Sequence, residues 1–325
     1  MKSTAHGKPK ACIVGWPVAH SRSPLIHRFW LEHLKIEGSY EFAAVAPAGF
    51  PAFVRDLARQ GFVGANVTLP HKQTAFELCD FRTETAACLR VVNTLWIEAG
   101  KLCGDNTDAG GFADALDQDA PGWDINSREA VVIGAGGAAR AIVYALKLRG
   151  TKRILLINRT KERAAELALE LGAPIEVADF PDLPGALAGA DLLINTTSLG
   201  MRGQPPLAID LKSLPPNAVV SDIVYVPLET TLLRAAKARG LRTVSGIGML
   251  LHQAVPGFER WFGVKPCVTP ELRNLVEADI AAGYDVCSGP HGVNRHGEID
   301  RRRDVSRRRS PGPRCRRRGP HALSW

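Results

Sequence analysis

Apolar and polar positions come in alternating blocks along the first hundred residues. Three short apolar runs, Ala11-Cys-Ile-Val-Gly-Trp16, Tyr40-Glu-Phe-Ala-Ala-Val-Ala46 and Phe62-Val-Gly-Ala-Asn-Val67, are each followed by a stretch with helical spacing, beginning near Pro24, Gly49 and His71. Such alternation predicts strand–helix units and parallel strands, because a parallel strand reaches its partner only through a crossover. From Val91 to Asn106 the rhythm changes: two short apolar runs flank Ala99-Gly100, which predicts a hairpin on the sheet edge. Asp108-Ala-Gly-Gly-Phe112 then opens a helix to about Leu116, with the acidic Asp108 at the cap position.

The alternation restarts at Glu129 and is stronger. Segments 129–150, 152–172, 173–177, 191–201, 217–225, 230–240 and 241–246 carry apolar runs and helical patterns in turn. Strand, helix, strand, helix, strand is a Rossmann-like half. Residues 247–263 and 270–282 are two further amphipathic segments with no strands left to cross to, so they are expected to pack back across the first domain.

Composition adds a boundary. The formal charge is +8, yet residues 284–325 contain eleven Arg, no Lys and four acidic residues, leaving 30 basic and 29 acidic residues in the body. The body is therefore near neutral and the basicity belongs to a tail, whose lack of either period predicts disorder. A nucleic-acid-binding arm and a solvated extension both fit that composition; the second is the more economical, so no nucleic-acid partner is expected. Seven cysteines, at 12, 79, 88, 103, 267, 287 and 315, form no C-x-x-C pair. That usage suits a reducing cytoplasm. The N-terminal MKSTAHGKPKACIVG lacks the apolar stretch of a signal peptide, and no run of about 18 uncharged apolar residues occurs, so a cytoplasmic chain with no membrane partner is expected.

The most specific local signal is Val131-Val-Ile-Gly134-Ala135-Gly136-Gly137-Ala138-Ala139, a glycine-rich turn between an apolar strand and a long helix. Gly134 allows the tight turn, Gly136 lets the backbone approach a pyrophosphate, and Ala139 replaces the third glycine. Free N–H groups and the helix dipole at that end hold the anion. About 20 residues on, where an NAD enzyme places a carboxylate against the ribose 2′-hydroxyl, this chain has Asn158-Arg159-Thr160, with Arg163 one turn later. A carboxylate would repel a 2′-phosphate and a guanidinium would grip it, so the turn predicts NADP(H) rather than NAD(H).

A dehydrogenase also needs a proton acceptor for the substrate hydroxyl and hydrogen-bond partners to orient it. His20-Ser21-Arg22-Ser23-Pro24 follows the first strand, Asn66-Val-Thr68-Leu-Pro70-His-Lys72 follows the third, Asn93 lies in the hairpin, and Asn106-Thr107-Asp108 closes the segment. These hydroxyls, amides and one Lys/Asp pair suit a polyhydroxylated substrate. Singly they are ordinary caps and surface groups. In order, H-S-x-S-P, N-V-T-x-P-x-K, V-N-T and D-N-T-D, ahead of G-A-G-G-A, N-R-T, N-T-T-S-x-G-M and G-M-L-x-x-Q, they closely resemble the shikimate dehydrogenase family from about Cys12 to Gly283.

The resemblance implies an NADP-dependent oxidoreductase acting on a CH–OH group, the reversible NADPH-linked reduction of 3-dehydroshikimate to shikimate. It implies that Lys72 is the general acid/base, paired with Asp108, and that Ser21, Ser23, Thr68, Asn93, Tyr225 and Gln253 join them around the substrate. For the cofactor it implies Gly134, Ala135, Gly136, Gly137, Ala138, then Asn158, Arg159, Thr160, Lys161, Glu162 and Arg163, with Ile223, Gly246 and Glu84. No metal is implied. The expected architecture is α/β: an N-terminal α/β substrate domain with a mixed sheet (1–107), a Rossmann-like NADP-binding domain (108–245), C-terminal helices packing back on the first domain (246–283), and the Arg-rich tail. A monomer or homodimer is expected. A quinate/shikimate dehydrogenase with relaxed substrate or cofactor choice is the alternative on the same scaffold. Arg28 stands where the family commonly has Asn, and the tail inherits no role; His20, His27 and His71 are expected to pack or cap.

Overall fold

The structure, a computed structural model, describes residues 8–125 and 128–285. The Arg-rich segment beyond them lies outside the described residues. The first strand–helix blocks form β1 (Lys10–Gly15), α1 (Ser23–His33), β2 (Ser39–Ala44), α2 (Phe50–Arg55), β3 (Phe62–Val67) and α3 (Lys72–Leu78). Two elements absent from the sequence reading follow, β4 (Phe81–Arg82) and α4 (Glu84–Leu89), the latter capped by Thr83, whose hydroxyl accepts from the Ala86 N–H at 3.2 Å. The hairpin forms as β5 (Thr94–Glu98) and β6 (Lys101–Asp105), its two turn residues Ala99 and Gly100 both left-handed at φ 50° and 77°. That pair matches the twist of the flanking strands.

These strands make one mixed sheet in the order β2-β1-β3-β5-β6-β4, with β3, β5 and β6 antiparallel in turn and the remaining pairs parallel. The hairpin was expected on the sheet edge; the two-residue β4, parallel to β6, takes that place instead. Alternate side chains of β1 serve two cores: Cys12 and Val14 pack with Phe50, Val54 and Leu57, while Ala11 and Ile13 pack with Tyr40, Trp96 and Trp261.

α5 (Asp108–Asp119) leads to the second sheet and runs a turn past the expected Leu116. There follow β7 (Glu129–Ile133), α6 (Gly137–Leu148), β8 (Arg153–Ile157), α7 (Lys161–Leu171), β9 (Ile175–Ala178), α8 (Leu183–Ala188), β10 (Leu192–Asn195), β11 (Val219–Asp222), α9 (Thr231–Ala238) and β12 (Arg242–Ser245). All neighbours pair parallel in the order β12-β11-β10-β7-β8-β9. This is the doubly wound dinucleotide-binding order, whose direction reverses between β7 and β10 and opens a crevice at the strands' carboxyl ends. Both faces are covered: Ala130 and Val132 pack beneath α5 and α6, and Val131 and Ile133 pack against α8 and α9. Burial on both faces explains why these strands read as continuous apolar runs.

The last segments are α10 (Gly246–His252), α11 (Val255–Phe262) and α12 (Pro270–Asp285). As expected from their apolar faces, they return to the first half. Phe258, Leu272 and Val276 share a core with Ile26 and Trp30 of α1, and Trp261 donates its indole N–H to the Leu95 carbonyl of β5 at 2.9 Å. Each such large side chain contributes about 1.5–3 kcal/mol relative to exposure. No helix among the described residues is long and apolar enough to cross a membrane.

Candidate active site

Lys72 begins α3 directly after the β3 loop, and Asp108 begins α5 directly after the hairpin. Asp108 was expected at the cap position; Thr107 occupies it, and Asp108 is the first helical residue. From there its carboxylate sits at the positive end of the helix. Lys72 Nζ donates to Asp108 Oδ2 at 2.6 Å, Asn93 Nδ2 donates to Asp108 Oδ1 at 2.8 Å, and the Asp108 N–H donates to Asn106 Oδ1 at 3.1 Å. The pair is partly shielded, with side chains 29% and 17% exposed. A charge-assisted bond of this kind fixes both groups in relation to each other while leaving Nζ open to a ligand.

The pair faces a cavity of about 270 Å³. Ser21, Ser23, Thr68 and Asn93 line it from the first sheet, and Gln253 from the end of α10. Ile223, Tyr225 and Gly246 line it from the carboxyl ends of β11 and β12, so the cavity is built by both sheets. Burial pushes the Tyr225 hydroxyl up from its ordinary value. The β1 loop is tied down by Arg22, which donates to the His20 carbonyl at 2.8 Å and to Asp279 of α12 at 3.2 Å. Ser21 Oγ in turn donates to Ser23 Oγ at 3.3 Å. Gly246 has a steric reason: a Cβ there would lie 2.1 Å from the Ile223 carbonyl oxygen.

At the crevice of the second sheet the glycine turn adopts the shape an anion needs. Gly134 has φ 113°, and a Cβ there would meet Thr196 Oγ1 at 2.4 Å. Gly136 caps α6 without a side chain, and Gly136 and Gly137 both face open space, so the first N–H groups of the helix are uncovered. A cavity of about 280 Å³ runs from Ala135, Gly136 and Gly137 to Arg163. Arg140, unremarked in the sequence, lines it too, in an ion pair with Glu170. At the end of β8, Asn158 Nδ2 donates to the Thr160 carbonyl at 2.7 Å, holding the turn on which the exposed Arg159 sits. Arg159 makes no ion pair among the described residues. Uncovered helix N–H groups beside exposed cations fit a dinucleotide carrying an extra phosphate.

Lys161 is held by Asp179 at 2.6 Å, and Glu84 is exposed in the first turn of α4, lining neither cavity. His27 and His71 pack as expected, stacked on Tyr40 at 4.0 Å and Phe50 at 4.2 Å, but His20 is exposed and lines the substrate-sized cavity. Asn66, read as a loop residue, lies inside β3, and it lines the cavity with Met249 and Leu250. The strand pattern gave a signal for Asn66, since a lone amide interrupts an apolar run; Met249 and Leu250 gave none. No group of three or more His, Cys, Asp or Glu among the described residues is placed to hold a metal.

Comparison with known proteins identifies the family. Family models described as the shikimate dehydrogenase substrate binding domain, shikimate / quinate 5-dehydrogenase, and the shikimate 5'-dehydrogenase C-terminal domain match residues 13–95, 116–201 and 246–268. A shikimate dehydrogenase (NADP(+)) of Methylocella silvestris is 61% identical over 272 residues, covering 84% of this chain and 97% of the relative. One from Rhodopseudomonas palustris is 58% identical over 274 residues, covering 84% and 98%. Among solved structures, the shikimate 5-dehydrogenase of Thermus thermophilus in complex with NADP(H) and shikimate superposes with a TM-score of 0.72 at 35% identity, covering 84% of this chain and 99% of that one. The quinate dehydrogenase of Corynebacterium glutamicum in complex with NAD superposes with a TM-score of 0.77 at 30% identity, covering 83% and 99%. With family models matching both halves of the fold and a relative 61% identical over 97% of its own length, the chain belongs to the shikimate dehydrogenase family.

Proposed function

We propose that the protein catalyses the reversible reduction of 3-dehydroshikimate to shikimate with NADPH. The observation that carries this reading is the Lys72–Asp108 pair at 2.6 Å, set in a cavity that hydroxyls and amides line from both sheets. In the reductive direction the Lys72 ammonium gives a proton to the oxygen that becomes the ring hydroxyl, in the oxidative direction the neutral Lys72 amine takes that proton back, and Asp108 orients Nζ and balances the ammonium's charge. Ser21, Ser23, Thr68, Asn93, Tyr225 and Gln253 hold the remaining hydroxyls and the carboxylate. Bound NADP(H) supplies the hydride acceptor and donor. Gly134 to Ala138 and the first turn of α6 hold its pyrophosphate, Asn158 to Arg163 its 2′-phosphate and adenine, and Ile223 and Gly246 the nicotinamide end, with Glu84 a more distant member. In this reading residues 1–107 with 246–283 form the substrate half and 108–245 the cofactor half. The enzyme works in the cytoplasm as a monomer or homodimer, and needs no nucleic acid.

A second reading, a quinate/shikimate dehydrogenase with relaxed choice, is favoured by the similarity to an NAD-bound quinate dehydrogenase. Against it stand Asn158-Arg159-Thr160, which present no carboxylate to a ribose 2′-hydroxyl. Rates at 340 nm for shikimate and quinate, each with NADP⁺ and NAD⁺, separate the two. The proposal expects kcat/KM to be highest for shikimate with NADP⁺ by at least an order of magnitude, and a comparable rate with quinate would favour the relaxed enzyme. Truncation after Gly283 with unchanged shikimate oxidation would show the Arg-rich tail dispensable for the chemistry.

A further inference from the structure

We infer that Tyr40 and Thr94 are positioning residues for the Lys72–Asp108 pair, acting through a buried, one-way chain of hydrogen bonds. The inference rests on the reading of that pair as the proton-transfer dyad. Neither residue lines the cavity; both are 1% exposed, and their hydroxyls face inward from strands of the first sheet.

The direction of every bond follows from counting protons. Tyr40 OH meets Asn66 Oδ1 at 2.6 Å. An amide oxygen only accepts, so the phenol must donate, and burial pushes its pKa well above the ordinary value, keeping that proton in place. The Asn66 amide is thereby fixed with Nδ2 turned the other way, where it donates to the Asn93 carbonyl at 3.3 Å and to Thr94 Oγ1 at 3.2 Å. Having accepted there, Thr94 Oγ1 gives its single proton to Asn93 Oδ1 at 2.9 Å. The backbone N–H of Thr107 donates to that same oxygen, also at 2.9 Å. With Oδ1 committed, Asn93 can offer Asp108 only its Nδ2, at 2.8 Å from Oδ1 of the carboxylate, and Oδ2 is left for Lys72. A reversed amide at Asn93 would instead set an oxygen against the carboxylate. Tyr40 is itself clamped by the His27 ring, parallel at 4.0 Å. The phenol hydroxyl, through Asn66 and Thr94, therefore reinforces beside the Thr107 N–H the face of Asn93 that the dyad meets.

The test compares Thr94→Val, Thr94→Ser, Tyr40→Phe and Lys72→Ala in the full chain, measuring kcat, KM for shikimate, the pH profile of kcat and the thermal midpoint. Thr94→Val keeps the shape and removes the proton. It is expected to lower kcat about tenfold, the worth of one buried hydrogen bond, with KM changed less and the acid limb of the profile moved to higher pH, as follows when the Asn93 amide that donates to the carboxylate is held less firmly. Thr94→Ser is expected to restore both, and Tyr40→Phe to shift the profile in the same direction by a smaller amount, a reading that stands even where Thr94→Val folds poorly. Folded Thr94→Val and Tyr40→Phe enzymes with the parent kcat and pH profile, beside an inactive Lys72→Ala, would overturn the inference alone. So would a Thr94→Ser enzyme as impaired as Thr94→Val. Near-normal kcat in Lys72→Ala would instead remove the dyad reading on which it rests.

Discussion

The two walls of the crevice are prepared for their ligands in opposite ways. On the substrate side the functional groups already hold one another: Lys72 on Asp108, Asp108 on Asn93, and Asn93 on the buried Thr94 and Thr107, with Asn93, Thr94 and Thr107 all under 5% exposed. On the cofactor side the backbone supplies shape and the side chains are mostly unengaged. Gly136 and Gly137 face open space, and Arg159 and Arg163 stand exposed in water. Proton transfer requires groups fixed before the substrate arrives, because misplacement of about 1 Å is costly. A dinucleotide must be gripped and released in every turnover, and exposed guanidiniums that lose little on release suit that cycle. Changes on the substrate wall should therefore appear in kcat, and changes on the cofactor wall in KM for NADP⁺.

The largest expected effect tests the first half of that contrast. Lys72→Ala should lower kcat by roughly 10²- to 10⁴-fold while KM for shikimate changes far less, as is usual when a positioned acid/base is lost. Initial rates at saturating NADP⁺ measure it, and an enzyme with near-normal kcat would remove Lys72 from the chemistry.

On the opposite wall, Arg159→Ala should raise KM for NADP⁺ about ten- to a hundredfold, the worth of a charge-assisted contact of roughly 1.5–3 kcal/mol, and leave NAD⁺ nearly unchanged. The structure sharpens this, since Arg163, not Arg159, lines the cavity at the glycine turn. Arg163→Ala should thus weaken both cofactors, since beside its place in the 2′-phosphate and adenine segment it also reaches the glycine turn, which the two cofactors share. If both variants discriminated equally between NADP⁺ and NAD⁺, the two arginines would share the 2′-phosphate.

Gly246 is where the walls meet, and it should respond in both parameters. The added methyl of Gly246→Ala would sit 2.1 Å from the Ile223 carbonyl, so the β11 and β12 ends must separate, at about 1–3 kcal/mol by analogy with overpacked cores. A lower thermal midpoint together with raised KM for shikimate and NADP⁺ is expected. A midpoint indistinguishable from the parent's would mean the strand ends are softer than their packing indicates.

The same contrast decides what could be read from the chain in advance. The cofactor wall was legible because its chemistry is local: glycines at set spacing between an apolar strand and a helix, and Asn158-Arg159-Thr160 where the next strand ends. On the substrate wall the polar residues were visible as motifs, but their partnership was not. Tyr40 meets Asn66 across 26 positions and Asn66 meets Thr94 across 28, contacts set by sheet register, on which period and propensity are silent. The two-residue β4 escaped for a related reason, since its strand partner is β6, beyond the whole of α4 and β5. His20 looked like its packed neighbours His27 and His71, and differs because the loop after β1 turns it outward to the cavity.

His27 gives the smallest effect and a check on the rigidity of the substrate wall that is independent of turnover. Its ring is fully buried between Tyr40, Trp30, Phe258 and Trp261. Burial pushes its pKa from 6.5 down to about 3. The folded protein therefore refuses a proton that the unfolded chain accepts below pH 6.5, so stability fully present above that pH is lost as pH falls toward 3. At about pH 5.5 the loss relative to neutral pH is on the order of 1 kcal/mol from this ring. His252, also lowered by burial, adds loss in the same direction, so the contribution of His27 is read by difference. Urea unfolding of the parent and of His27→Phe at about pH 7.5 and about pH 5.5 is the measurement. The variant keeps an aromatic ring against Tyr40 and removes the proton site, so its stability should fall less between the two pH values. Equal losses in both proteins would mean that water or a neighbouring group reaches the ring, and that the platform beneath Tyr40 and Asn66 yields where the buried chain requires it to hold.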